Sequence, residues 1–308
     1  MLPQNMLLRQ TSGVFPLRAR RRLLGLYSQR RHIRQPSKPI HPSEHFDLHG
    51  KVFAVTGGGR GLGLAMAEAL LAAGGEVHCL DKLPEPAEEF QAAQARQDEP
   101  SKQNLQYWQL DVCDTKALDE AMASISGKRK RLDGVIAAAG VNHLGNATDH
   151  TEQDINRVMR INYIGAFHTA TAAANYMRLH NSLGSILLVA SMSGLIANKG
   201  MVSPVYNSSK AAVIQLARSL AMEWGNPDGQ MRSPIRVNSL CPGHIATPMA
   251  QMVMDKSPET RKVWESENML GRLAQPCEFA GPAIFLLSDA SSFVTGSTVV
   301  IDGGHTAW

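Results

Sequence analysis

Residues 51–75 constrain this chain more tightly than any other stretch. Lys51-Val-Phe-Ala-Val-Thr56 reads as a short apolar buried strand. Gly57-Gly58-Gly59-Arg60-Gly61-Leu62-Gly63 follows it directly. Residues 64–73 then have helix-forming composition, and Gly74-Gly75 ends them. Glycines let the backbone approach a pyrophosphate, and the helix N-terminus meets its charge. A glycine-rich loop alone says little; set between a strand and a helix it points to a dinucleotide site.

The next strand, residues 76–80, ends in Asp81. At that distance from the loop, a carboxylate accepts hydrogen bonds from the adenosine ribose hydroxyls and repels a 2′-phosphate. The expected cofactor is therefore NAD, with NADP possible because Arg60 and Lys82 stand nearby. A polar stretch at 84–102 predicts a short surface helix. Further strands are expected at 107–110 and 132–138, with a helix capped by Thr115 running between them to about residue 125. The spacing is that of repeated strand–helix–strand units, so the fold class is α/β: a single Rossmann-type, doubly wound parallel sheet flanked by helices.

Thr151 opens a helical pattern through about residue 180, with Asp154 at its third position. Asn162, a polar residue amid apolar helical neighbours, marks either a satisfied core amide or a kink. Residues 184–191 form the next apolar strand and place Ser191 at its carboxyl end, where open α/β sheets bind ligands. Tyr206-Asn-Ser-Ser-Lys210 begins the following helix, expected to run to about residue 224. Four residues apart, phenol and ammonium share a helix face. The ammonium is expected to lower the phenol pKa and make it a usable acid/base. The spacing alone is common on helices; its weight comes from what precedes it.

Thr56-Gly-Gly-Gly-Arg-Gly-Leu-Gly63, Asp111-Val112, Ala139-Gly140, Asn162, Ser191-Met-Ser-Gly194, Tyr206-Asn-Ser-Ser-Lys210 and Pro242-Gly243 resemble, in order and spacing, the short-chain dehydrogenase/reductase family over roughly residues 48–308. The family's Asn-Asn-Ala-Gly strand motif stands here as Ala137-Ala138-Ala139-Gly140, without its amides. The resemblance implies an NAD(P)-dependent oxidoreductase acting on a small-molecule alcohol or ketone. It implies that Tyr206 is the general acid/base and that Lys210 lowers its pKa and holds the nicotinamide ribose. Ser191 would orient the substrate oxygen, and Asn162 would hold a water linking Lys210 to solvent. Cofactor contacts implied are Gly57, Gly59, Arg60, Gly61, Leu62, Gly63, Asp81, Asp111, Val112, Ala139, Gly140, Tyr206, Lys210, Pro242, Gly243, Ile245 and Thr247. Residues 235–240 would form the sixth strand and 295–304 the last. Residues 249–270, rich in Met and holding Trp264, would be a substrate lid whose large side chains serve packing or substrate contact. A homotetramer or homodimer is expected from family habit.

Within the family, Ala190-Ser-Met-Ser-Gly-Leu-Ile-Ala-Asn198, the fifteen-residue step from Ser191 to Tyr206, and the ending Asp302-Gly-Gly-His-Thr-Ala-Trp308 look like the fungal polyol dehydrogenases and sugar reductases. Oxidation of a polyol to a ketose is the leading expectation. The alternatives are a reductase of a larger carbonyl compound in secondary metabolism and a non-catalytic nucleotide-binding subunit, the latter disfavoured because Tyr206 and Lys210 are both present.

Charge separates the first 43 residues from the rest. Nine basic residues (Arg9, Arg18, Arg20, Arg21, Arg22, Arg30, Arg31, Arg34 and Lys38) precede Glu44 with no acid among them, against a formal net charge of +4 for the whole chain. The remainder is therefore mildly acidic, and no nucleic-acid partner is expected. Apolar residues are interspersed through the leader rather than gathered in a signal-peptide core, as in a mitochondrial transit peptide. Matrix localisation is expected, or cytoplasmic if the leader does not target. With 44% hydrophobic residues the chain can bury a normal core, and no apolar run of membrane-spanning length is present. Cys79, Cys113, Cys241 and Cys277 form no zinc-type spacing, so reduced thiols in a reducing compartment and no metal site are expected.

Overall fold

The computed structural model describes residues 41–97, 104–199, 201–225, 233–256 and 259–308. Residues 1–40, which carry nearly all of the expected leader, lie outside the described residues. One compact unit runs Pro42–Trp308.

Seven strands form one sheet in the order β3-β2-β1-β4-β5-β6-β7. They are β1 Val52–Thr56, β2 Glu76–Asp81, β3 Leu105–Gln109, β4 Gly134–Ala137, β5 Gly184–Val189, β6 Ile235–Pro242 and β7 Thr298–Ile301. All neighbouring pairs are parallel. The helices are α1 Gly61–Ala72, α2 Glu88–Ala95, α3 Thr115–Arg129, α4 Glu152–Met159, α5 Ala166–Leu179, α6 Pro204–Trp224, α7 Pro248–Lys256, α8 Glu259–Ser266 and α9 Ala280–Leu287.

Side chains alternate across a strand, and β1 shows the consequence. Val52 and Ala54 enter one core with Met122, Ala170, Val213 and Leu220, from α3, α5 and α6. Phe53 and Val55 enter a second core with Leu64, Leu70, Phe90 and Leu286, from α1, α2 and α9. Both faces of the sheet are covered, so its central strands β1, β4 and β5 are largely apolar and fully buried. Chain order reverses between β1 and β4, and a crevice opens there at their carboxyl ends.

The predicted Rossmann architecture is the observed one, with several local corrections. Helix α1 starts at Gly61, inside the glycine motif rather than after it, with Arg60 extended as its N-cap. Asp114, not Thr115, caps α3: its carboxylate accepts from the Lys116 amide at 3.1 Å and the Ala117 amide at 3.0 Å. A charged acceptor just ahead of the first turn satisfies two orphan donors and meets the helix dipole. Strand β3 begins two residues before the predicted 107, at Leu105, and stops at Gln109. Strand β4 is shorter than 132–138, because the backbone leaves the sheet after Ala137 to enter the crevice. Strand β5 ends at Val189, and Ser191 lies just beyond it, extended, as N-cap of a 3-10 turn. Strand β6 runs on to Pro242. The last strand is confined to Thr298–Ile301, since Gly296, Gly303 and Gly304 take left-handed φ values of +67°, +67° and +86° that a strand cannot hold.

The stretch predicted as one helix over 151–180 is broken by a π-helical segment, Arg160–Gly165. Its N-terminus is the expected capping box of Thr151 and Asp154. Asn162 sits within the wide turn, 1% exposed. Thr169 Oγ1 donates at 2.7 Å to the Gly165 carbonyl, where the wide turn passes into α5.

Candidate active site

The crevice at the sheet's switch point is a cavity of about 680 Å³. Its floor is built by glycines whose missing side chains matter. A Cβ on Gly57, which has φ +69°, would lie 2.8 Å from the Ala139 backbone, and one on Gly63 would lie 2.1 Å from the Gly57 carbonyl oxygen. The loop after β1 is thus pressed against both the loop after β4 and the first turn of α1, leaving a bare backbone cradle beneath the helix N-terminus. Gly57, Arg60, Gly61, Leu62 and Gly63 line this half with Asp81, Asp111, Val112, Ala139 and Gly140. Gly59 does not line it; its amide instead donates to Asp81 Oδ2 at 3.1 Å. The other Asp81 oxygen accepts from the Leu83 amide at 3.3 Å, so the carboxylate is held at the rim by the backbone. A cradle that a Cβ on Gly57 or Gly63 would fill, with a fixed acid at its end, fits a nicotinamide dinucleotide.

At the other end, Ser191, Tyr206 and Lys210 line the cavity together with Pro242, Gly243, Ile245 and Thr247. Ser191 follows β5, and Tyr206 and Lys210 lie one turn apart near the start of α6. Lys210 is 4% exposed; its Nζ donates to the Val189 carbonyl at 2.9 Å and lies 5.7 Å from the Tyr206 ring centre. Burial pulls its pKa down to about 8, against the opposing effect of the Cys241 sulfur. Burial also raises the Tyr206 pKa; the Ser191 hydroxyl works the other way. The expectation that Lys210 depresses the phenol's pKa is therefore not met in the protein alone. Lys210 is turned toward a backbone carbonyl, and loss of water around the phenol outweighs the rest.

Asn162 does not line the cavity. It stands behind Gly140, where an added Cβ would touch both Asn162 Oδ1 and Lys210 Nζ at 3.4 Å. Its Oδ1 accepts from the Val141 amide at 2.8 Å, and its Nδ2 donates to the Val141 carbonyl at 2.9 Å and Ser209 Oγ at 3.0 Å. It therefore ties the loop after β4 to α6. Thr247 Oγ1 accepts from the Ala250 amide at 3.3 Å, so it holds the start of α7 while lining the cavity.

Several lining residues stand outside the site residues expected from the sequence. Asn142 and Asn198 each bring a buried Oδ1 with no hydrogen-bond partner among the described residues. Asn198 takes a left-handed φ of 57° that asparagine tolerates, and its amide nitrogen donates to Ser193 Oγ at 2.9 Å. His244 was also missed. Its ring stacks on Trp264 with centroids 4.1 Å apart, and burial beside His305 holds its pKa down to about 3. In the expected lid, Met249, Met252 and Val253 of α7 and Trp264 of α8 form one wall. Trp264 also packs with Met254 and Leu273, so it serves packing and the cavity at once.

Residues 57–306 match a family model described as enoyl-(acyl carrier protein) reductase. Among curated proteins, the chain is 40% identical to the short chain dehydrogenase/reductase notP' of Aspergillus versicolor, over 86% of this chain and 90% of that one. It is 34% identical to D-arabinitol 2-dehydrogenase [ribulose-forming] of Candida tropicalis, over 85% of this chain and 95% of that one. Among solved structures, it is similar to the NADPH-dependent 3-quinuclidinone reductase from Rhodotorula rubra, with a TM-score of 0.77 at 32% identity, covering 88% of this chain and 96% of that one.

Proposed function

The chain belongs to the short-chain dehydrogenase/reductase family of NAD(P)-dependent oxidoreductases, and we propose that it oxidises a secondary alcohol of a polyol to a ketose with NAD. The observation that carries this reading is the pairing of Ser191, Tyr206 and Lys210 with two unpartnered amide oxygens, on Asn142 and Asn198, in one cavity. A polyol offers several hydroxyl donors, and buried acceptors left unpaired discriminate strongly against substrates that lack them. The likeness to D-arabinitol 2-dehydrogenase supports the same substrate class.

When bound, the nicotinamide dinucleotide supplies the hydride acceptor. Gly57, Arg60, Gly61, Leu62, Gly63, Asp111, Val112, Ala139 and Gly140 would hold its pyrophosphate and adenosine portions, with Asp81, itself held by the Gly59 amide, on the ribose hydroxyls. Pro242, Gly243, Ile245 and Thr247 would border its nicotinamide end. The chain's own side chains then handle the proton. Ser191 holds the substrate oxygen, Tyr206 Oη takes the hydroxyl proton, and Lys210 would fix the nicotinamide ribose of the bound dinucleotide. Asn162 ties the loop after β4 to α6, the helix that carries Tyr206 and Lys210.

NAD is preferred over NADP in this reading because Asp81 lines the cavity, is fixed by two amides, and its charge would repel a 2′-phosphate on the adenosine ribose. The test is a cofactor-reduction screen of arabinitol, mannitol, xylitol and galactitol with each nucleotide. Turnover of at least one polyol, faster with NAD, is expected. Silence on every polyol overturns the substrate class, and faster turnover with NADP overturns the cofactor preference.

A second reading, reduction of a larger carbonyl compound, is favoured by the apolar wall of Met192, Met201, Met249 and Met252. A panel of bulky ketones beside the polyols separates the two. We further propose that residues 1–43 direct the protein to the mitochondrial matrix; a fusion of those residues to a fluorescent protein that stays cytosolic refutes this. Self-association is proposed from the exposed Phe293, Val300 and Trp308 around the edge strand β7. Sedimentation showing a monomer at micromolar concentration refutes it.

A further inference from the structure

We propose that His244, Glu267 and His305 form a binding site for a divalent transition metal of the zinc class, which staples the two-helix wall of the cavity to the chain's end. Each of the three offers one ligand atom, and these atoms all lie within 4.8 Å of one another. Each side chain also carries a buried atom with no hydrogen-bond partner among the described residues: His244 Nε2, Glu267 Oε2 and His305 Nδ1. His305 is 9% exposed. Buried polar atoms are ordinarily paired, and three orphans on neighbouring side chains require an explanation. One cation among them supplies the missing partner of all three.

The backbone already holds the three segments together. His244 follows β6, and its carbonyl accepts from the Ala274 amide at 3.0 Å. Glu267 follows α8 and continues its hydrogen bonding, its amide donating to the Val263 carbonyl at 3.1 Å. The Leu270 amide donates to the Gly303 carbonyl at 3.2 Å, joining the end of this wall to the tail that bears His305. Asp302 fixes that tail in turn, accepting from the amides of Gly304 and Thr306, both at 2.9 Å. The stacking of His244 on Trp264 and its edge-on contact with His305, 5.6 Å between centroids, set the imidazole planes. The site is preorganised by contacts that owe nothing to a metal.

The donor set selects the ion. Two imidazoles and a carboxylate suit zinc, cobalt or nickel, whereas magnesium and calcium prefer oxygen alone. Bonds of about 2.0–2.1 Å around a tetrahedral ion put ligand atoms roughly 3.3 Å apart, so small side-chain rotations close the observed spacing. Three protein ligands leave a fourth position for water or for a substrate hydroxyl. The inference does not depend on which alcohol the enzyme oxidises.

The full-length protein is stripped with a chelator and titrated with zinc sulfate, with metal per chain measured by elemental analysis after equilibrium dialysis. One equivalent is expected, with a thermal transition several degrees higher than in the stripped protein. His305→Gln and Glu267→Gln are each expected to weaken uptake at least tenfold while keeping the circular dichroism of the parent. Cobalt(II) is expected to give the intense visible bands of a tetrahedral N/O site. No stoichiometric zinc uptake by the parent protein overturns the proposal. So does equal uptake by the parent and both variants, which would place the metal on cysteines. If one variant does not fold, the other decides; if neither folds, the cobalt spectrum decides, and weak octahedral bands overturn the site.

Discussion

At the residue scale, the chemistry turns on how two buried groups titrate. In the protein alone Tyr206 is held neutral by burial, so alcohol oxidation, which needs its phenolate, is expected to speed up as pH rises through the neutral and alkaline range. Ketone reduction draws on the protonated form and should not share that rise; pH profiles of kcat/KM in the two directions check it. Tyr206→Phe is expected to cut kcat by about 10²–10⁴-fold while NAD binding, followed by fluorescence, persists. Lys210 has a different signature. Its pKa falls from 10.5 unfolded to about 8 folded, so between those values the unfolded chain binds more protons. Stability conferred through this residue therefore rises with pH across that window, and below pH 8 the buried charge costs roughly 3 kcal/mol. Denaturant unfolding at several pH values should show that rise in the parent protein and lose it in Lys210→Met. The Tyr206–Lys210 pair was legible in the sequence because helix geometry ties residues four apart. The direction of Tyr206's shift was not legible, because burial is set by residues from distant segments.

At the element scale, the corrections share one cause: the sequence signals an element's interior better than its ends. Thr115 and Asp114 both have cap chemistry, and only the backbone shows which side chain reaches the first-turn amides. Asp114→Ala is expected to destabilise the protein by about 1 kcal/mol in urea unfolding, and Thr115→Ala by a few tenths. The reverse ranking would contradict the observed cap. The π-helical segment at Arg160–Gly165 was legible only as a question about Asn162, since a π turn and an α turn can share composition. The structure answers that Asn162 is both a satisfied buried amide and part of an irregular turn. Asn162→Ala leaves the Val141 amide without its acceptor. We expect a loss of about 2–4 kcal/mol and weakened turnover, checked by unfolding and by kinetics together.

At the scale of the whole molecule, contacts define the compact unit Pro42–Trp308. A chain beginning at Pro42 is expected to keep the full-length protein's thermal transition within about 2 °C and its kcat within a factor of two, checked by calorimetry and assay. The sequence by itself determined the alternation of strands and helices, the place of the glycine loop between the first strand and the first helix, and the order Ser191, Tyr206, Lys210. These rest on local periodicity, on steric demands for glycine and on fixed helical spacing, all written within a few residues. Only the tertiary structure decided which orphan amides face the cavity, how burial tunes Tyr206 and Lys210, and that His244, Glu267 and His305 converge. Those three stand far apart along the chain on a post-strand loop, a helix end and the C-terminal tail. No local pattern encodes such a meeting; it comes from packing that folds distant segments onto one sheet edge.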